Sequence, residues 1–259
     1  MKKVSRILAL ALSLLMLIAC AAGCGNKATK TDADTGEKVY TIVSDNAFAP
    51  FESYDQKTGK YVGIDMDIME AVAKDQNIKY EMLNVGFDPA LAKVQAGQAD
   101  GVIAGMTIND ERKKIFDFSD GYFEDGQVMV VAADSDIKSL EDLNGKAVAA
   151  KNGTMGGKFA EQNKDKYGYT TKAFEGSNEQ YQAILNGNCV ACFEDFSVIS
   201  HAIKNGVALK TVGEKFNPSQ YGFAVKKGTN AELIQKFNAG LANIKASGEY
   251  DMILAKYGL

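Results

Sequence analysis

Strand-like and helix-like segments alternate through most of the chain, and this alternation constrains the fold more than any other feature. Short apolar runs such as YTIVS (40–44) and ADGVIAGMT (99–107) are typical of buried strands. Segments with a helical period of apolar residues separate them, for example GIDMDIMEAVAKDQN (63–77) and NEQYQAILNG (178–187). Strands that alternate with helices of about ten to fifteen residues indicate a parallel sheet. The pattern therefore predicts an α/β fold.

Three loops of small and polar residues lie at the ends of strand-like segments. They are GMT (105–107), AKNGT (150–154) and FED (193–195). In open α/β sheets the ligand binds at the carboxyl ends of the strands, where loops meet helix N-termini. We therefore expect these three loops to contribute to a binding site.

The N-terminus has the pattern of a secretory signal. The basic stretch MKKVSR precedes an apolar run (7–19) and the small residues CAAGC. This run is shorter than the ~20 residues that a membrane-spanning helix requires. The segment resembles the lipobox of bacterial lipoproteins, which implies a signal peptide over 1–23 and a lipid on Cys24, with Cys20 as the alternative. Residues 24–37 lack an apolar period and are expected to form a flexible tether.

The net charge argues against nucleic acid as a partner. The whole chain has a formal charge of −4, and removal of residues 1–23 takes away Lys2, Lys3 and Arg6 but no acid. The remaining chain then carries −4 − 3 = −7. A chain this acidic has no basic footprint for nucleic acid or for anionic lipid.

Apart from the predicted lipid-bearing cysteine, Cys189 and Cys192 are the cysteines that remain after the predicted signal peptide, and they have C-x-x-C spacing. The surrounding run NCVACFED is apolar and typical of a buried strand, on which residues three apart point to opposite faces. That geometry opposes a disulfide. A zinc site would need two further ligands, and the single histidine, His201, lies in a separate helical stretch. We expect buried free thiols, no metal and no cofactor.

Arginine is scarce in this chain. Of its 29 basic residues only Arg6 and Arg112 are arginine, and Arg6 lies in the predicted signal peptide. A guanidinium can present two parallel N–H groups to a carboxylate, a geometry that lysine lacks. Arg112 could therefore bind a ligand carboxylate, or it could pair with Asp110 or Glu111 on an exposed helix. Composition alone divides these interpretations evenly.

Four segments make the chain recognisable: SDNAFAPFE (44–52), YVGIDMDI (61–68), GMTINDERKKIFDFSDGY (105–122) and KNGT (151–154). They resemble extracellular solute-binding proteins of family 3, in particular the polar amino-acid (glutamine-type) binding proteins of ABC transporters. The resemblance implies a periplasmic-binding-protein-like fold of two α/β lobes joined by two strand-like hinge crossovers. Lobe 1 would comprise 38–123 and 221–259, and lobe 2 would comprise 124–220. The crossovers would be 122–126 and 217–221.

The resemblance also implies which residues bind the ligand. Arg112 would hold the α-carboxylate with Thr107 and with N–H groups near Thr154. Asp195 would hold the α-ammonium together with the Gly105 carbonyl and the Thr107 hydroxyl. The full set that the resemblance implies is Asp45, Phe48, Phe87, Gly105, Met106, Thr107, Arg112, Lys151, Thr154, Met155 and Asp195.

Two residues of this set, Asp45 and Lys151, match the positions that read the ligand's side chain, while the two phenylalanines would enclose its aliphatic stem. An amide suits the pair because its NH₂ can donate to Asp45 while its oxygen accepts from Lys151. This favours glutamine, or asparagine with a weaker fit. Two positions depart from the glutamine-binding pattern: Met155 replaces a small residue, and Glu194 adds an acid. Glu194 could attract a basic amino acid such as arginine, or it could neutralise Lys151.

Other functions are weaker candidates. Asp65 and Asp67 resemble a metal pair, but they flank a helix start and are expected to cap its N–H groups. The same fold occurs in dehydratases and sensor modules. Catalysis would need a nucleophile with its base, and the one histidine is poorly placed for that role. We therefore expect a monomeric, lipid-anchored binding protein at the extracytoplasmic face of the membrane, which serves an ABC permease and is not an enzyme.

Overall fold

The chain folds into two lobes. The computed structural model describes residues 30–31 and 36–259, so the predicted signal peptide, Cys20, Cys24 and most of the tether lie outside the described residues. In chain order the strands are β1 (Tyr40–Ser44), β2 (Ala47–Phe48), β3 (Glu52–Asp55), β4 (Lys60–Val62), β5 (Tyr80–Asn84), β6 (Gly101–Val102), β7 (Phe116–Phe118), β8 (Phe123–Ala132), β9 (Ala147–Lys151), β10 (Thr170–Phe174), β11 (Ala191–Asp195), β12 (Leu209–Tyr221) and β13 (Ala224–Lys226). The helices are α1 (Ile64–Asp75), α2 (Phe87–Gln95), α3 (Met155–Tyr167), α4 (Ser177–Leu185), α5 (Phe196–Lys204), α6 (Ala231–Ser247) and α7 (Glu249–Lys256), with 3-10 turns at Arg112–Lys114 and Glu141–Leu143.

The first lobe is built on a five-stranded sheet in the order β5-β1-β6-β13-β7. β1 pairs in parallel with β5 and β6, whereas β13 runs antiparallel to β6 and β7. Every residue of β1 is buried, as expected for a parallel strand covered on both faces. Neighbouring residues of a strand point to opposite faces, so Ile42 packs with α1 and α6 while Val43 packs with α2.

The second lobe has a sheet of the same size in the order β10-β9-β11-β8-β12. β9 is parallel to β10 and β11, and β8 is antiparallel to β11 and β12. The alternation of sides recurs, because Val130 packs with Tyr181 of α4 and Met129 lies in the cluster of Ala160 on α3. Together the two sheets confirm the predicted α/β fold of two lobes.

The two cysteines of the second lobe behave as buried thiols. Cys189 and Cys192 are free and share one apolar cluster, as predicted. Burial raises the pKa of both thiols, which keeps them protonated and unreactive at neutral pH. Within residues 30–31 and 36–259, no helix is long and apolar enough to cross a bilayer.

Two long strands carry the chain between the lobes. β8 and β12 pair antiparallel, and Phe123 stands opposite Tyr221 at the end nearest the first lobe. Tyr221 also forms a bridge with Thr107, so the strand pair is joined to the loop that follows β6. The predicted crossovers, 122–126 and 217–221, fall at this end of the pair, and the lobe limits drawn from them stay a prediction.

A small antiparallel sheet of β2, β3 and β4 lies against the start of α1. Gly63 connects β4 to α1 with a φ of 147°, and a Cβ at this position would lie 1.9 Å from the Phe51 carbonyl oxygen. The N–H groups of Ile64 and Asp65 donate to the carbonyls of Pro50 and Phe51, each at 3.0 Å. The missing side chain therefore lets the first turn of α1 bond directly to the segment before β3.

We predict that Gly63→Ala lowers the free energy of unfolding by about 2–4 kcal/mol, because the methyl group meets the backbone and φ is strained. Urea denaturation of the soluble chain measures the effect. Gly59→Ala is the matched control: its φ is +69° but the nearest atom is 3.7 Å away, so about 1 kcal/mol is expected. Equal losses for the two variants would contradict the packing argument.

Candidate ligand-binding site

A narrow cavity of about 10 Å³ lies between the two lobes, near the carboxyl ends of β1, β9 and β11. Its lining residues are Asp45, Phe48, Phe87, Ala104, Gly105, Thr107, Arg112, Lys151, Thr154, Met155 and Asp195. Every predicted site residue except Met106 is in this set. Ala104 is the one member of the set that was not predicted. The Met106 side chain is fully buried in the apolar cluster that holds Val43, and its carbonyl accepts from the N–H of Gly222 (3.0 Å).

The floor of the cavity depends on a glycine. Gly105 has a φ of +54°, and a Cβ there would lie 2.4 Å from the Phe48 ring. The glycine therefore permits both the left-handed turn and the close approach of the ring. As a result the Gly105 backbone is exposed to the cavity at the carboxyl end of the buried segment that begins with β6.

Arg112 joins the lobes at one end of the cavity. Its Nη1 donates to the Thr107 carbonyl (2.8 Å) and its Nη2 to the Gly153 carbonyl of the second lobe (3.0 Å). The guanidinium lies over the Phe87 ring, 5.3 Å from its centroid. Burial lowers the pKa of Arg112 to about 10, so the group stays charged at neutral pH. Of its five N–H groups these two bonds use two, which leaves three for an anion.

One of the two alternative partners considered for Arg112 is engaged elsewhere. Glu111 forms an ion pair with Lys158, which lies on α3 in the second lobe. Asn109 also reaches across the cleft, where its amide lies 3.2 Å from the Met155 sulfur. Polar side chains of the 109–112 segment thus contact the second lobe on one side of the cavity.

The N-terminus of α3 opens into the same end of the cavity. Thr154 caps the helix: its hydroxyl accepts from the N–H of Gly157 (3.0 Å) and donates to the Lys151 carbonyl (2.9 Å). A helix N-terminus carries a partial positive charge and N–H groups that lack partners within the helix. Together with Arg112, it forms a suitable site for a carboxylate.

Asp195 supplies a negative charge to the cavity. It ends β11 and precedes α5, and its two oxygens accept from Gln127 Nε2 (2.8 Å) and from the Tyr221 hydroxyl (2.7 Å). Burial and the neighbouring Glu194 raise the pKa of the Asp195 carboxyl to about 7. The sequence did not single out Gln127 or Tyr221, because they lie on the paired strands β8 and β12 and approach Asp195 only in the folded chain.

A buried ion pair crosses the cleft beside the aromatic rings. Lys151 Nζ lies 2.6 Å from Asp45 Oδ2, and these side chains are 2% and 1% exposed. The ammonium also lies 4.9 Å from the centroid of the Phe48 ring and 6.0 Å from that of Phe87. Both rings therefore contact the lysine by cation–π interaction. The two charges therefore neutralise each other next to the two phenylalanine rings.

Glu194 is absent from the residues that line the cavity. Its carboxylate accepts from Gln180 Nε2 (2.8 Å) and the Tyr181 hydroxyl (3.0 Å) in the interior of the second lobe. Burial raises the pKa of Glu194, and the charge of Lys151 opposes that rise. Of the two roles considered for this acid, the contacts favour neutralisation of Lys151 over contact with a basic ligand.

The prediction that Asp65 caps the start of α1 is wrong. Its Oδ2 instead accepts from the N–H of Gly105 (2.7 Å) and from the Tyr122 hydroxyl (2.9 Å), and it makes no side-chain cap. Asp67 points to the surface, where it pairs with Lys256 (2.7 Å). In the described part of the chain, no group of three or more acidic, histidine or cysteine side chains is placed to hold a metal ion.

Comparison with known proteins identifies the family. The model of the bacterial extracellular solute-binding proteins, family 3, matches residues 40–259. A Neisseria gonorrhoeae protein named "Probable histidine-binding protein" is 37% identical and covers 96% of this chain and 93% of its own. The Bacillus subtilis ABC transporter glutamine-binding protein GlnH is 32% identical, with 97% of each chain covered. An ancestral arginine-binding protein, solved with arginine bound, is 39% identical with a TM-score of 0.79, and the match covers 85% of this chain and 98% of that one. The chain belongs to the bacterial extracellular solute-binding proteins of family 3.

Proposed function

We propose that this chain captures a polar L-amino acid, glutamine, outside the cytoplasm and delivers it to an ABC importer. The observation that carries the choice of glutamine is the Lys151 ammonium, which contacts the Phe48 and Phe87 rings and bonds to Asp45. The family and its named relatives support the role in amino-acid transport. The cavity chemistry supports the ligand.

The charges of the cavity match an amino-acid zwitterion. Arg112 and the start of α3 would bind the α-carboxylate, and Asp195 would bind the α-ammonium, helped by Gly105 and Thr107. Hydrogen bonds to charged groups contribute about 1.5–3 kcal/mol each, so a few of them suffice for tight binding. The contacts across the cleft and the burial of Lys151 and Asp45 require the lobes to separate before a ligand enters.

The end of the cavity formed by Asp45 and Lys151 selects a neutral side chain. A cationic side chain that enters this end of the cavity would lie next to the Lys151 ammonium. Two like charges in contact in a buried site repel each other strongly. A glutamate carboxylate would meet Asp45. An amide donates to Asp45 and accepts from Lys151, so it satisfies both groups without adding charge. Glutamine has the required amide at the end of an aliphatic stem.

A basic amino acid is the second candidate. Asp45 and Glu194 place two acids near one lysine, and the named relatives include an arginine-binding protein. Isothermal titration of ligand-free protein with glutamine, glutamate, arginine and histidine separates the candidates. Tight binding of glutamine alone supports the proposal, whereas preferential binding of arginine would assign the cavity to a basic ligand. No binding of any of the four would contradict both candidates.

The location that we propose follows from the N-terminus. A signal peptide over 1–23 would direct export, and a lipid on Cys24, or on Cys20, would hold the protein to the outer face of the membrane. A single lipid chain binds a membrane marginally, so more than one chain on the cysteine is implied. The tether of 24–37 would leave the lobes free to reach the permease as a monomer.

We predict that Arg112→Lys weakens glutamine binding at least tenfold, or ~1.4 kcal/mol. Lysine keeps the charge, but it cannot bond to two carbonyls and also present parallel N–H groups to a carboxylate. Calorimetric titration measures the change. Lys113→Met is the control, because Lys113 is the exposed neighbour of Arg112. This variant should bind glutamine as tightly as the unmodified protein does. An unchanged affinity for Arg112→Lys would mean that Arg112 does not hold the ligand.

We predict that Lys151→Met lowers the affinity for glutamine and raises the affinity for arginine, because Asp45 then lacks a buried positive partner. At least a tenfold change in the ratio of the two dissociation constants is expected. Lys158→Met is the matched control, since that lysine pairs with Glu111 at the surface. If Lys151→Met keeps the ligand ranking of the unmodified protein, the assignment of the side-chain end is wrong.

We predict that glutamine binding weakens as the pH falls through about 7, where the raised pKa of Asp195 lies. The ligand ammonium binds the ionised carboxylate and so lowers its pKa, which means that binding releases a proton at and below neutral pH. Affinity should therefore rise with pH up to about 8 and then level. Calorimetric titrations in buffers of different ionisation enthalpy measure the number of protons released when glutamine binds. Proton uptake on binding would contradict the role of Asp195.

A further inference from the structure

Two buried carboxyl groups lie together beneath the ligand cavity. Glu52, the first residue of β3, and Asp65, in the first turn of α1, are both 0% exposed. The backbone bonds from the first turn of α1 to the Pro50 and Phe51 carbonyls bring the two side chains together. Neither group contacts the cavity directly, so ligand binding as proposed does not account for them.

Only one of the four carboxyl oxygens of this pair accepts hydrogen bonds from other described groups. Asp65 Oδ2 accepts from the Gly105 N–H (2.7 Å) and the Tyr122 hydroxyl (2.9 Å). Among the described residues, no other group donates to Asp65 Oδ1 or to either oxygen of Glu52. Two carboxyl groups in contact can form a hydrogen bond only when one of them carries a proton. A bond between Glu52 and Asp65 themselves, with the proton on one of them, would satisfy these oxygens.

The surrounding charges show which group holds the proton. Burial raises the pKa of Glu52 well above its usual range, and the carboxylates of Asp65 and Asp45 add to the rise, against a smaller opposing effect of Lys151. Burial also raises the pKa of Asp65, to about 7, but bonds from Gly105, Tyr122 and Glu52 favour its ionised form. Glu52 is therefore the protonated member at neutral pH.

We propose that protonated Glu52 and ionised Asp65 form a single-proton pair that positions the ligand-binding turn at Gly105. Glu52 donates to Asp65, and Asp65 in turn holds the N–H of Gly105 and the hydroxyl of Tyr122. Glu52 and Asp65 are positioning residues, since they act on the ligand only through Gly105 and Phe48.

The pair acts on two sides of the cavity at once. Gly105, whose carbonyl would receive the ligand ammonium, is held in place from behind by the bond from its N–H to the Asp65 carboxylate. Glu52 pairs across the small sheet with Phe48, one of the two rings that would enclose the ligand stem. Tyr122 immediately precedes β8, so the same carboxylate also contacts the segment that links the lobes. Loss of the pair should loosen the turn, the ring and the crossover together.

Glutamine titrations of variants near pH 8 test this positioning role, with thermal unfolding as a check of folding. We expect at least tenfold weaker binding for Asp65→Asn and for Glu52→Met, which lacks a donor. Glu52→Gln keeps a neutral donor of the same shape and should bind within about threefold of the unmodified protein. Asp67→Asn is the control, because Asp67 lies on the same helix and pairs with Lys256 at the surface. Equal weakening by Glu52→Gln and Glu52→Met would overturn the proposal.

Infrared difference spectra near pH 8 test the proton independently of any ligand. The carbonyl stretch of a protonated carboxylic acid should be present in the unmodified protein and in Asp67→Asn but lost in Glu52→Gln. A spectrum unchanged by Glu52→Gln would overturn the pair even if every variant folds. The affinity measurements rest on the proposed function, whereas the spectra do not. A protein that binds no glutamine but loses the band would refute the proposed ligand and keep the proton pair.

Discussion

The contact between the Lys151 ammonium and the Asp45 carboxylate is the interaction on which the proposed choice of ligand depends. Both groups are removed from water, so each requires its partner, and the ammonium also contacts two aromatic rings. Glu194 balances the lysine from the interior of the second lobe. The charges that remain for a ligand are the spare N–H groups of Arg112 with the start of α3 on one side, and Asp195 on the other. That arrangement is complementary to a zwitterion whose side chain is polar and neutral.

The tyrosines next to the crossovers connect the hinge region to the acids of the site. Tyr122 donates to Asp65, and Tyr221 donates to Asp195. Their rings are fully buried and lie 6.3 Å apart, which holds both hydroxyl groups in place. The side chains beside the hinge are therefore the ones that orient the carboxylates. Preorganised acids cost little further reorganisation when a ligand binds.

The strand and helix pattern was sufficient to predict the α/β class, because segments such as YTIVS form buried strands wherever helices cover both faces of a sheet. The recognised motifs named the residues that line the cavity, with Met106 as the exception, since its side chain points into the core. The role of Asp65 was missed, because an acid in a first helical turn usually serves as a cap and its bond to Gly105 depends on tertiary contacts. The β3–β4 hairpin was also missed: its sequence, ESYDQKTGKYV, is polar and lacks a clear apolar alternation.

In the proposed complex the cleft holds a zwitterion between Arg112 and Asp195, with its amide at Asp45 and Lys151. A crystal structure of the soluble chain, refolded free of ligand and then mixed with glutamine, tests it most directly. We expect the α-carboxylate at Arg112 and the N-terminus of α3, the ammonium at Asp195, and the amide between Asp45 and Lys151. A ligand bound in the reverse orientation, or outside this cavity, would contradict it.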